Sequence, residues 1–165
     1  MPLPQKRWQP VVAAALSAIV VAGLGALNTK LGPWYFELRK PSWQPPDWLF
    51  GPAWTLIFAL AALAGVLYWR HEIVHGRRWQ VLAAFAANGF LNTLWSLLFF
   101  RLQRPDWALE EVGFLWLSVL ILIVLTARVS RRAGWLLFPY LLWVSFASFL
   151  NWKIVELNPS FSADV

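Results

Sequence analysis

Five stretches of apolar residues, each the length of a helix that crosses a bilayer, constrain this chain more than any other feature. The first reads VVAAALSAIVVAGLGALN, residues 11–28, and the others lie at about 50–69, 79–100, 108–128 and 134–153. A bilayer core takes roughly 20 consecutive apolar residues per helix. The runs are continuous rather than alternating, which favours helices over the strands of a membrane barrel. A chain that is 13% charged falls well below the roughly 25% of soluble domains. The expectation is an all-α integral membrane protein: one domain, 1–165, built as a five-helix bundle, with a Pro- and Trp-rich loop at 29–49 after the first helix. Lys6 and Arg7 precede the first run as they would in a secretory signal. That run is longer than a signal core and no small-residue cleavage site follows it, so it reads as a span.

The net charge of +6 is carried partly by short basic groups between the apolar runs: Lys6-Arg7, Arg39-Lys40, Arg77-Arg78 and Arg131-Arg132. Split between both ends of the runs, they suit anionic lipid headgroups and exclude a continuous nucleic-acid groove. The tail, the 70–78 loop and the 128–133 loop share one side and hold eight of the fourteen Lys and Arg, which favours that side as cytoplasmic. Cysteine is absent, so disulfides, thiolate metal sites and a cysteine nucleophile are excluded.

HEIVH, from His71 to His75, spells the zinc-protease pattern, which needs both imidazoles on one helix face and a third ligand. The chain has two histidines, so the third ligand would be a carboxylate. No Asp or Glu occurs between Glu72 and Asp106. Asp106, Glu110, Glu111, Glu37, Asp47, Glu156 and Asp164 fall toward the opposite membrane face, roughly 30 Å away. The stretch therefore reads as a polar helix end and turn stopped at Gly76, not as a metal site.

The segment LGPWYFELRKPSWQPPDWLFGPAW contains Pro33, Pro41, Pro45, Pro46 and Pro52. Proline stiffens such a loop, and Trp34, Tyr35, Trp43 and Trp48 make it a packed lid rather than a linker.

Polar side chains within apolar spans are costly and therefore informative. Asn88, Asn92, Trp95 and Phe99 recur at helical spacing on one face of the third span. Tyr140, Trp143, Ala147 and Asn151 do so in the fifth, with Ser148 beside them and Pro139 placed to bend the helix. Asn88 alone reads as helix–helix glue. Trp54, Asn92, Trp143 and Ala147 together read as a pocket: indole faces, a few oriented donors and a small residue leaving room for a flat apolar ligand. A porphyrin fits that description; a sterol fits it less closely. Small residues at Ala61 and Gly65, and at Ala83 and Ala87, are spaced to let helices approach closely.

The motif WY…L.KPSW.PP…GPAWT, from Trp34 to Thr55, resembles the tryptophan-rich sensory protein family, also called the translocator or peripheral benzodiazepine receptor family. FLNTLWSLLFF and FPYLLWVSFASFLNW extend the resemblance to roughly residues 10–155. The resemblance implies a five-helix bundle, often dimeric, that binds porphyrins, sterols and synthetic isoquinoline or benzodiazepine ligands under the first loop. It implies that Trp54 and Asn92 face the ligand's polar group, that Trp143 and Ala147 form the opposing wall, and that Trp34, Tyr35 and Trp43 belong to the lid. Trp95 joins the ligand-binding set from its place on the third-span face. Animal members carry a sterol motif with a tyrosine near the end of the fifth helix; here LNWKIVEL has Trp152 and no tyrosine, which favours porphyrin over sterol. Glu111 stands where the family often has an acid.

Three functional readings follow. The first is a multi-pass membrane protein, a homodimer that needs no cofactor and binds tetrapyrroles for sensing, regulation or trafficking. The second is an enzyme promoting light-dependent porphyrin breakdown, with Trp54 and Trp143 as its candidate residues. The third is a partner that regulates other membrane proteins.

Overall fold

A computed structural model describes residues 8–159; Lys6, Arg7 and Asp164 lie outside the described residues. Helix α1 runs Gln9–Asn28 and a short α2 runs Pro33–Glu37. A 3-10 turn, Asp47–Leu49, leads into α3, Phe50–His71. Helix α4, His75–Ser96, continues through a π-helical turn at Leu97–Arg101. Helices α5, Pro105–Ala127, and α6, Arg131–Leu157, follow. Among the described residues, five helical segments are long and apolar enough to cross a membrane. The starts follow local chemistry. Pro33 and Pro105 open α2 and α5, where a missing N–H costs nothing, and the Ser130 hydroxyl caps α6 by accepting from Ala133 N. Helix α6 runs on through Pro139.

The long helices close into a ring. Helix α1 packs on α3 and α4, α3 on α6, α6 on α5, and α5 on α4. The short connections α4–α5 and α5–α6 join packed neighbours. The equally short α3–α4 connection does not: the main partners of α3 are α1 and α6, and α3 meets α4 near their shared turn, where Trp69 and Trp79 stand 6.4 Å apart. Three buried clusters fill the axis. One, with Tyr35, Phe99 and Leu150, lies at the lid end; Val119, Tyr140 and Val144 belong to the middle; Ala64, Leu122 and Leu137 close the far end.

Two close helix approaches occur at glycines. A Cβ on Gly134 would stand 2.7 Å from the Ala127 Cβ, and one on Gly89 would stand 2.8 Å from Val21 Cγ2. Ala83 and Ala87, expected at such a contact, are exposed on the outside of α4, whereas Gly65 faces the Phe85 ring. A small residue permits close approach without specifying which face meets the neighbour.

The outer surface suits lipid. Leu16, Ile19 and Val20 of α1 are exposed, and exposed tryptophans gather at both ends: Trp8, Trp79 and Trp135 at one, Trp48, Trp107 and Trp152 at the other. Cations accompany them, with the Arg104 guanidinium 4.2 Å from the Trp107 ring centre and Lys153 Nζ 5.0 Å from that of Trp152.

HEIVH is a turn. Helix α3 ends at His71 and α4 begins at His75, so the two imidazoles do not share a helix face. Glu72 is buried and occupied: Oε1 accepts from Val74 N at 2.8 Å, Oε2 accepts from the Tyr68 hydroxyl at 3.3 Å, and its carbonyl accepts from Arg78 Nε at 2.8 Å. His71 Nδ1 lies 2.7 Å from the Leu67 carbonyl.

Candidate functional site

A cavity of about 530 Å³ opens inside the lid end of the ring. Helix α3 contributes Phe50, Trp54 and Phe58, and Trp54 stacks on Phe58 with centroids 5.4 Å apart. Helix α4 contributes Asn92, Trp95 and Ser96, and its π-turn adds Phe99 and Phe100. Helix α6 supplies Trp143, Ala147, Leu150, Asn151 and Ile154. The rings of Trp54 and Trp143 meet edge to face at 6.4 Å. Ala147, one turn beyond Trp143, keeps the wall open where a larger side chain would fill it.

The π-turn brings two adjacent rings to the wall. Adjacent residues on an α-helix point about 100° apart. At Leu97–Arg101 Phe99 and Phe100 both line the cavity, as the adjacent Leu150 and Asn151 do on α6, and both rings pack with Trp95. Phe100 also meets Tyr35 of the lid at 5.8 Å, and Phe99 meets Trp34 at 6.2 Å.

A buried hydrogen-bond chain braces the wall. Asn92 Nδ2 donates to the Tyr140 hydroxyl at 3.2 Å, which donates to Asn88 Oδ1 at 3.1 Å. Asn88 Nδ2 donates to Ser118 Oγ at 2.8 Å, and Ser118 Oγ to the Leu115 carbonyl at 2.7 Å. Asn88 thus joins α4 to α5 and α6, the glue role its position suggests. Asn151, with its amide turned to satisfy both ends, donates to the Pro105 carbonyl at 3.1 Å and accepts from Leu109 N at 3.0 Å. Among the described residues, Trp95 Nε1, Trp143 Nε1 and Gln44 Oε1 are buried polar atoms on lining residues with no hydrogen-bond partner. Glu111 on α5 is also buried, with both carboxyl oxygens unpartnered, but it does not line the cavity.

The lid is held from several directions. The Tyr35 hydroxyl donates to Asp47 Oδ1 at 2.7 Å, and Gln44 Nε2 donates to both, at 3.3 and 3.2 Å. Lys40 Nζ sits 3.3 Å from the Tyr35 ring centre. Burial, helped by the hydrogen bond and charge of Asp47, pushes the Tyr35 hydroxyl well above the usual tyrosine range. Burial also pushes Lys40 down, opposed by the Asp47 charge. The Asn158 amide clasps the Arg39 backbone, accepting from its N–H at 3.0 Å and donating to its carbonyl at 2.9 Å. Trp43 stacks on Phe149 at 5.1 Å.

Of the residues singled out in the sequence, the fold gathers Tyr35, Trp54, Asn92, Trp95, Trp143 and Ala147 around the cavity. Trp34 and Trp43 stay in the lid without lining it: Trp34 packs on Phe99, and Trp43 lies against Phe146 and Phe149 of α6. Sequence reasoning missed Gln44, Phe50 and Phe58, and Ala22, Gly25 and Ala26 of α1. The small residues of α1 carry a signal, since they recur at three- and four-residue spacing toward its end.

The family profile described as TspO/MBR matches residues 11–157, nearly the whole bundle. The chain belongs to the TspO/MBR family. Relatives agree along their length. The tryptophan-rich protein TspO of Chlorobaculum tepidum is 43% identical over 148 residues, covering 86% of this chain and 90% of its own. The tryptophan-rich sensory protein of Cereibacter sphaeroides is 38% identical, covering 87% and 92%. The translocator protein of Bos taurus is 30% identical, covering 92% and 91%. Family membership and five apolar helices make this TspO/MBR protein a multi-pass integral membrane protein.

Proposed function

We propose that this protein binds porphyrins, or closely related tetrapyrroles, in the cavity under its lid, and that binding serves sensing, regulation or trafficking within the membrane. The observation that carries the reading is the wall itself. Trp54, Trp95, Trp143, Phe50, Phe58 and Phe99 bring broad apolar faces from three helices to one space. Its volume of about 530 Å³ falls within the roughly 300–1,000 Å³ of small-molecule sites. Aromatic faces stack on a flat macrocycle. No cofactor is needed for binding, and a homodimer, checked by light scattering in detergent, belongs to the same reading. The names of two relatives, sensory protein and translocator protein, accord with a role in signalling or movement of a ligand.

The test is a titration of purified protein with protoporphyrin in the dark, followed by tryptophan fluorescence. Saturable quenching is expected. Trp54→Ala combined with Asn92→Ala is expected to weaken binding at least tenfold, about 1.4 kcal/mol. Unchanged affinity in a folded double variant refutes the site. The edge-to-face pair of Trp54 and Trp143 on the wall favours a second reading, light-dependent breakdown of the bound porphyrin. Illumination of the same sample separates the two: a new absorbing product that disappears in Trp143→Phe supports breakdown, and its absence supports binding alone.

A further inference from the structure

Resting on that porphyrin reading, we infer that the ligand reaches the cavity sideways from the bilayer, through a seam between the end of α1 and the start of α3, while the lid stays shut. The cavity's exposed lining residues are not spread around it. They are Ala26, Thr29 and Leu31 on one side and Gly51 and Thr55 on the other. Those contributed by α4 and α6 are buried or half-buried. The mouth therefore lies along this one seam.

The seam has the chemistry of a lipid-facing passage. Behind Ala26 the α1 side continues with Gly25 and Ala22, so the exposed helical residues at the seam are small, with Leu31 of the following loop the larger side chain at the rim. Both threonine hydroxyls are spent on their own helices, Thr29 Oγ1 donating to the Gly25 carbonyl and Thr55 Oγ1 to the Gly51 carbonyl, each at 2.9 Å. That satisfies the polar atoms and leaves a largely apolar rim. Depth agrees. Gly51 and Thr55 lie about one and two turns beyond Trp48, an exposed ring of the lid-end aromatic belt, and Ala22 and Ala26 lie within the α1 span. The mouth opens just below the headgroups, where a flat apolar molecule with polar edges partitions.

The upper route is closed by contacts independent of the seam. The Asn158 clasp fixes the lid backbone at Arg39, Trp43 lies against α6, and Tyr35, Gln44 and Asp47 bond together at the inner surface. Opening the lid breaks all of these; passage along the seam breaks none.

The experiment uses the full chain in lipid vesicles, with protoporphyrin as the probe and stopped-flow tryptophan quenching as the readout. Gly51→Leu narrows the seam, and a Cβ at Gly51 meets nothing within 4 Å, so the helix accommodates it. Ala26→Leu narrows it from the other side. Each is expected to slow association and dissociation together by at least tenfold, because an obstructed passage delays both directions. Asn158→Ala, which loosens the lid and speeds its amide hydrogen exchange, is expected to leave both rates within twofold of the unaltered protein. Wild-type rates in both seam variants, with faster exchange in Asn158→Ala, make the lid the route and overturn the inference. Faster dissociation alone in the seam variants makes these residues part of the binding wall and also overturns it. If the unaltered protein shows no saturable quenching, the porphyrin reading itself fails, and the route fails with it.

Discussion

Replacing Tyr140 by Phe removes one oxygen from the middle of the bundle and tests how the cavity wall is braced. Tyr140 is almost fully buried, and its hydroxyl joins Asn92 to Asn88 through bonds of 3.2 and 3.1 Å. Phe keeps the ring and its edge-on contact with Trp54, 6.0 Å between centroids, so packing is preserved. Two hydrogen bonds are lost. Interhelical hydrogen bonds in membranes average about 0.6 kcal/mol and reach about 1.7, and a buried group left unpaired costs about 1–3. The expected destabilisation is about 1–3 kcal/mol, measured by reversible unfolding in mixed micelles of mild and denaturing detergent. A double-mutant cycle with Asn88→Ala isolates the bond from general weakening, and its coupling is expected to be at least about 0.5 kcal/mol. The substitution also releases Asn92 Nδ2 on a residue that lines the cavity. Porphyrin affinity in Tyr140→Phe is therefore expected to hold or rise although the protein is less stable. Coupling below about 0.3 kcal/mol, or stability and affinity falling together, refutes the idea that this chain braces the wall while competing for the Asn92 donor.

Glycine substitutions test the ring packing. Gly134→Ala drives a Cβ against Ala127, whose backbone cannot swing aside, and is expected to cost about 1–3 kcal/mol in the same unfolding assay. Gly113→Ala, where a Cβ meets nothing within 4 Å, is expected to be neutral or slightly stabilising. A pH series tests the lid. Because the folded state holds Tyr35 protonated, its contribution is fully present below the usual tyrosine value of 10.0 and is lost as pH rises above it. Between pH 10 and about 12 the unaltered protein is expected to lose more stability than Tyr35→Phe; equal losses mean that the Tyr35 hydroxyl is not held by burial and Asp47.

Lipid reverses the usual logic of reading a fold, which explains what the sequence disclosed. In a soluble domain apolar residues mark the inside; here Leu16, Ile19 and Leu117 face outward as apolar as Leu122 and Leu137 inside. Apolar length therefore revealed five spans and said little about which faces meet. The polar residues were informative because lipid penalises them. Asn88, Asn92, Tyr140 and Asn151 all turn inward and find partners in the bundle. Of the two helical faces, Asn92, Trp95, Phe99, Trp143, Ala147 and Asn151 line the cavity, while Asn88 and Tyr140 lie behind it in the hydrogen-bond chain. What stayed hidden depends on backbone geometry rather than side-chain chemistry. The helices extend past the apolar runs, to His75 and Leu157 for example, because backbone hydrogen bonding continues after the side chains become polar. Phe100, beside Phe99 in the π-turn at Leu97–Arg101, and Leu150, beside Asn151 on regular α6, both line the wall next to a residue of the inferred face, so spacing of three and four marks the wall too narrowly. The short helix Pro33–Glu37 lies inside a segment whose prolines argue for extended chain, yet Pro33 occupies the one position where proline starts a helix readily. That turn sets Tyr35 inward toward Asp47 and leaves the neighbouring Phe36 exposed. Pro33 thus acts in the lid as a helix initiator rather than a breaker.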